Sequence, residues 1–139
     1  MTLTVREAMH QDETEVSDLW GQCGLVASHN DPRSDFRFAC SGSASTVLVG
    51  LEAGRIIGSV MVGHDGHRGW LYYVACSPDR RKSGVGRQMV ASAENWLRLR
   101  GVVKVHLMVR ETNAEVTEFY ERLGFEFMPR IAMAKWLDQ

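Results

Sequence analysis

A chain of 139 residues is long enough to bury a core without disulfides or metal. With 45% hydrophobic and 24% charged residues, its composition excludes a disordered, fibrous or membrane-spanning polypeptide. Lys+Arg number 16 and Asp+Glu 17, a formal net charge of -1, so the overall basic footprint of a nucleic-acid or anionic-membrane binder is missing and any anion site must come from locally clustered charge. The three cysteines, Cys23, Cys40 and Cys76, are an odd count with no CxxC pair and no ligand spacing for zinc. They predict buried, inert thiols in a reducing compartment and no metal. Met1 to Arg6 carries no apolar signal core, and no run approaches a membrane span, so the expected location is cytoplasmic.

In chain order, Leu3 to Ala8 alternates like a strand. Asp12 then offers an N-cap with Glu15 three residues on, and Val16, Leu19, Trp20 and Cys23 make one helical stripe that Gly24 is placed to stop. A short helix is expected after Asn30-Asp31-Pro32, since proline suits a first turn. Thr46 to Glu52 and Arg55 to Val62 read as strands joined through Ala53-Gly54 into a hairpin. The turn His64-Asp65-Gly66-His67 leads to a third strand, Gly69 to Cys76. After Pro78 the pattern becomes helical, with Met89, Val90, Ala93, Trp96 and Leu97 on one face and Gly101 at the end. Val103, Val105, Leu107 and Val109 alternate as a strand. Thr112-Asn113-Ala114-Glu115 is a capping-box pattern opening a helix with the stripe Val116, Phe119, Tyr120 and Leu123. Gly124 closes it, and Phe125 to Trp136 is expected as a last strand, with Pro129 at a bulge or an edge. No linker or repeat divides the chain, so a single domain over residues 1–139 is predicted, an α/β (α+β) fold of mixed sheet covered by helices.

The segment richest in chemistry is Val74 to Arg87. A buried strand runs into a loop with Gly84 and Gly86, and the loop opens an amphipathic helix. The first turn of a helix has backbone N–H groups without partners and partial positive charge from the helix dipole. Glycines let a phosphate approach that backbone, and Arg80, Arg81, Lys82 and Arg87 supply cations. Neither a P-loop nor a G-x-G-x-x-G dinucleotide fingerprint fits, because Met89 stands where the third glycine would be. The pattern present is Arg81-x-x-Gly84-x-Gly86, and a glycine-rich helix start with a solvated basic patch would give the same spacing.

Val74 to Arg87 resembles the acetyl-coenzyme A signature of the GNAT family of N-acetyltransferases, in which a hydrophobic strand end and a proline precede R/Q-x-x-G-x-G/A. Asn113 to Phe125 is similar to that family's later N…FYxxxGF element, and the two blocks occur in the family's order and separation. More narrowly, Asn30-Asp31-Pro32 and Asp65 to Trp70 with Tyr72-Tyr73 resemble the small bacterial acetyltransferases of the YpeA type.

The resemblance implies a mostly antiparallel mixed sheet, splayed at its centre, with helices on both faces. It implies that acetyl-CoA is the co-substrate, its pyrophosphate on the backbone of Arg81, Lys82, Ser83, Gly84, Val85 and Gly86 with Arg87 nearby. The pantetheine arm would run along Val74, Ala75 and Cys76, and the N–H near Val74 would polarise the thioester carbonyl. Asn113 would touch the cofactor; as a residue type it also suits a helix start. Tyr120 would donate a proton to the leaving thiolate, although on its own stripe it reads as a core aromatic.

The base is open. The strand carries Tyr72 and Tyr73 and no carboxylate; His64, Asp65 and His67 are candidates, and an ordinary hairpin turn explains them as well. Cys76 has no patterned histidine partner and is not read as a nucleophile. His29, Asp31, Arg33, Asp35 and Arg37 lie where the family walls its acceptor site, or form a solvated charged loop. The predicted activity is direct transfer of acetyl from acetyl-CoA to a primary amine, whether small molecule, peptide N-terminus or protein lysine, with no nucleic-acid or membrane partner and a homodimer left open. The rival reading is a non-catalytic acyl-CoA sensor.

Overall fold

The computed structural model describes residues 3–138. They fall into two compact units, the first ending at Leu107 and the second starting at Met108. In the first, β1 (Thr4–Glu7), β2 (Ser45–Glu52), β3 (Arg55–His64), β4 (Gly69–Cys76) and β5 (Val105–His106) form one sheet in that order. The pairs β1/β2, β2/β3 and β3/β4 are antiparallel; β4/β5 is parallel. The β2–β3 hairpin turns through Ala53 and Gly54, both at positive φ (51° and 78°), a conformation matched to the twist of the flanking strands.

Two helix layers cover the sheet. On one face α1 (Glu13–Gln22) and α2 (Pro32–Ala39) bury Val16, Leu19, Trp20, Phe36 and Ala39 against Val47, Val49 and Ala75. Asp31 caps α2, its carboxylate accepting from the Arg33 and Ser34 N–H groups, with Pro32 in the first turn as expected. On the other face α3 (Val85–Arg98) lies on strands whose glycines admit it: a Cβ built on Gly50, Gly58 or Gly69 would meet Met89, Val85 or Leu97 at 2.7, 2.6 and 2.5 Å. In the second unit α4 (Ala114–Arg122) is capped by Asn113, which accepts from the Val116 N–H at 3.3 Å.

Three expectations need correction. Asp12 stands at the N-cap of α1 as expected, but its side chain does not close a capping box with Glu15. Its carboxylate turns back to the Met9 N–H (2.8 Å) and to Arg6 (2.7 Å), while Glu15 accepts from the Ile56 N–H at 2.8 Å. A buried carboxylate takes the strongest donors in reach, and for Asp12 those are the Arg6 guanidinium and the Met9 amide. The strand expected from Val103 to Val109 pairs only at Val105–His106, and among the described residues no strand is formed over Phe125 to Trp136. Alternation of apolar residues fixes the faces of a segment but not the presence of a neighbour to pair with. Pro129 sits at the centre of a tight turn in which Arg130 N–H reaches the Met128 carbonyl at 2.8 Å.

Candidate active site

β4 departs from a regular strand at one point. Ser59 pairs with Ala75 and Met61 with Tyr72, so Tyr73 and Val74 together face the single residue Val60. This is a β-bulge, and Tyr73 takes φ +52° to make it, a left-handed conformation that costs a non-glycine residue of order 1–3 kcal/mol. The strain is held by three contacts. The Tyr73 ring stacks on Trp20 (centroids 3.8 Å apart, planes 11°), its hydroxyl donates to Asp35 Oδ2 at 2.6 Å, and its carbonyl accepts from the Ser59 hydroxyl at 3.3 Å. Burial, then the bond to Asp35, push the Tyr73 phenol up to about 12. The sequence signalled none of this set, because Leu71 to Cys76 reads as one apolar run.

The bulge coincides with an open edge. β5 pairs with β4 only at Gly69–Val105 and Trp70–His106. Beyond Trp70, no strand among the described residues pairs with that side of β4, so its last six residues have no strand partner there and present an edge able to accept an extended chain.

That edge leads into the glycine loop. Ser77 starts a 3-10 turn, Pro78–Arg80, followed by Lys82 (φ +63°) and Gly84 (φ +87°). Gly84 is the N-cap of α3 and gives no side-chain cap; the first helical bond runs from Gln88 N–H to Gly84 carbonyl at 3.0 Å. The N–H groups of Val85, Gly86 and Arg87 are therefore left to an outside acceptor, at the positive end of a 14-residue helix. The cations divide. Arg80 is bound to Glu52 (2.7 Å), which removes it from the set expected to meet an anion, whereas Arg81, Lys82 and Arg87 are exposed and within 4 Å of no carboxylate among the described residues. The start of the loop is further tied by Arg55 to Asp79 (2.9 Å), Ser77 to Asp79 (2.6 Å) and Ser83 to the Arg80 carbonyl.

So Val74, Ala75, Cys76, Arg81, Lys82, Ser83, Gly84, Val85, Gly86 and Arg87 form one continuous edge, loop and helix start. Asn113 and Tyr120 belong to the second unit. There Asn113 Oδ1 serves the helix cap, and Tyr120 lies edge-on to Phe119 and Phe125 (5.0 and 5.5 Å), its phenol pushed up to about 12 by burial. Burial also raises the Cys76 thiol, which suits an inert group rather than a nucleophile. Asp65 accepts from the His67 and Arg68 N–H groups (2.9 and 2.7 Å), bonds that lower its pKa, and His64 Nδ1 accepts from the Gly66 N–H (3.1 Å); turn chemistry occupies both. Of the charged residues toward α2, Arg33 and Arg37 clasp Glu13 (3.1 and 2.7 Å), and Asp35 meets Tyr73.

The sequence profile of the Acetyltransferase (GNAT) family matches residues 8–125. The chain belongs to the GNAT family. Among curated GNAT relatives, an acetyltransferase of Pectobacterium atrosepticum is 41% identical over 91% of each chain. One from Sodalis glossinidius is 36% identical over 94% of this chain and 92% of its own. The GNAT fold recurs in solved structures at low identity. The aminoglycoside acetyltransferase AAC(6')-Iy in complex with a CoA bisubstrate analogue superposes with TM-score 0.84 at 16% identity, covering 98% of this chain and 99% of that one. Glucosamine-6-phosphate N-acetyltransferase from Arabidopsis thaliana gives 0.76 at 24%, covering 99% of this chain and 100% of that one. Membership makes this chain an acetyltransferase.

Proposed function

We propose that the protein transfers the acetyl group of acetyl-CoA directly to a primary amine. The observation that carries this reading is the run from the bare β4 edge into the uncapped start of α3, flanked by Arg81, Lys82 and Arg87. An extended pantetheine arm needs strand-like partners, and a diphosphate needs amides and cations; this edge and loop offer them in that order. The solved AAC(6')-Iy complexes with CoA and with a CoA bisubstrate analogue, whose fold this chain shares, support the same choice of co-substrate. The family match runs across both compact units, which supports one catalytic domain.

Acetyl-CoA supplies the acyl group as a thioester. The Val74 N–H holds the carbonyl oxygen as negative charge grows on it when the neutral amine attacks; the C–N bond forms, the C–S bond breaks with coenzyme A leaving as the thiolate, and the nitrogen sheds its extra proton to solvent. Tyr120 serves the departing sulfur. With its phenol near 12 and a thiol near 8.5, outright transfer of its proton is uphill by about 5 kcal/mol, so the hydroxyl acts as a hydrogen-bond donor to the thiolate. Amine and peptide panels read by release of free thiol test the reading. Tyr120→Phe is expected to lower turnover about tenfold or more with the acetyl-CoA dissociation constant nearly unchanged. Tight acetyl-CoA binding with no thiol release from any amine would favour the sensor instead.

A further inference from the structure

Strand geometry settles which way the Val74 N–H points. Along a regular strand alternate residues turn their N–H groups to the same side. Gly69 N–H bonds Lys104 carbonyl, on the β5 side, at 2.9 Å, yet Ser77 N–H, an even number of residues later, bonds Ile57 carbonyl on the β3 side at 2.8 Å. The alternation has slipped by one, and the bulge at Tyr73–Val74 is where it slips. After the bulge the N–H groups of Val74 and Cys76 face the open edge.

The trans peptide joining Tyr73 to Val74 is planar, so its C=O and N–H point in opposite directions. The Tyr73 carbonyl is turned toward β3, where the Ser59 hydroxyl donates to it at 3.3 Å. Ser59 in turn accepts from Trp20 Nε1 at 2.8 Å, and both Ser59 and Trp20 are 0% exposed. A chain of hydrogen bonds thus runs from the indole N–H through a hydroxyl to an amide carbonyl, and leaves by the N–H of the same amide. Each bond in such a chain polarises the next, and a carbonyl that accepts a bond makes its own N–H a stronger donor. Ser59 and Trp20 are themselves closed to water, and the Trp20–Tyr73 stack keeps the peptide from rotating.

We propose that Trp20 and Ser59 are positioning residues for acetyl transfer, which fix and strengthen the Val74 N–H through the Tyr73–Val74 peptide. The proposal rests on the acetyl-transfer reading above for its kinetic consequence only.

The test uses the full chain with Ser59→Ala, Trp20→Phe and the double variant. Binding of acetyl-CoA is measured by calorimetry, turnover by thiol release, and the carbonyl stretch of bound acetyl-CoA labelled with carbon-13 at the carbonyl by difference infrared spectroscopy. Ser59→Ala is expected to bind within about twofold of wild type while kcat falls about tenfold, a fraction of the loss from deleting an oxyanion donor itself. The carbonyl stretch, lowered in the wild-type complex relative to free acetyl-CoA, returns part-way in Ser59→Ala and less in Trp20→Phe. The double variant loses less than the two single losses combined, because the hydrogen-bonded part of the Trp20 effect runs through the Ser59 hydroxyl and only the stacking part adds to it. A folded Ser59→Ala protein with wild-type kcat and wild-type carbonyl stretch overturns the proposal; should that variant not fold, the same result from Trp20→Phe does so. An unshifted carbonyl in wild type also overturns it. A shifted carbonyl that responds to Ser59→Ala, with no amine acetylated, upholds the relay and refutes the acetyl-transfer reading.

Discussion

Gly58→Ala gives a direct handle on the seat of α3. The added Cβ would lie 2.6 Å from Val85 Cγ1 and 3.1 Å from Met89 Cγ, against about 3.5–4.0 Å for a relaxed carbon pair, so something must move by about 1 Å. Val85 cannot swing aside, since it is 1% exposed and a β-branched residue in a helix has one strongly preferred rotamer. Overpacking of this kind costs about 1–3 kcal/mol, offset by about 0.5–1 kcal/mol from the restricted unfolded chain. With about 2.1 cal/mol/K of unfolding entropy per residue, the net 0.5–2 kcal/mol lowers Tm by about 2–7 °C, read by thermal unfolding. Because Val85 is the first residue of α3, the displacement falls on the amides facing the loop, and acetyl-CoA binding is expected to weaken about threefold or more. Gly50→Ala is the control. Its Cβ meets the Met89 thioether at 2.7 Å, a flexible end that yields more cheaply, so it is expected to cost less on both readouts. Adding Val85→Ala to Gly58→Ala makes room for the new methyl and is expected to restore affinity. If Gly58→Ala matched wild type in Tm and affinity, the glycine seat would not position the helix start as argued.

Two further outcomes follow from the charges. The Tyr73 phenol loses its proton near pH 10 when unfolded and only near 12 when folded, so its contribution to stability is complete below about pH 10 and disappears as pH rises to about 12. Tyr120 shares that window, so urea midpoints at pH 9 and 11 are expected to differ in wild type and to differ less, but still differ, in Tyr73→Phe. Replacing Arg81 and Lys82 together by alanine is expected to weaken acetyl-CoA binding about tenfold at low salt, with the gap narrowing at high salt, while Arg80→Ala mainly lowers Tm by releasing Glu52.

Local chemistry made part of this molecule legible from sequence. Ala53-Gly54 announced the hairpin, Asp31-Pro32 the start of α2, and Met89, Val90, Ala93, Trp96 and Leu97 the buried stripe of α3. The glycine loop was legible because helix starts and phosphates share one requirement. What depends on partners distant in the chain was not. Nothing near Arg80 names Glu52, nothing near Trp20 names Ser59 39 residues on, and an apolar run such as Leu71 to Cys76 hides a bulge because every residue in it suits either face. The shortened β5 and the stretch from Phe125 to Trp136, strandless among the described residues, show the same boundary: alternation is written in one segment, pairing in two.

The extra residue in β4 also bears on how sequences of this kind are compared. An alignment that slides by a single position across Tyr73 still matches apolar to apolar, and so scores well. It nevertheless exchanges every backbone group that looks outward for one that looks inward along the rest of the strand. A one-residue gap at this position is therefore better placed by peptide orientation than by side-chain similarity.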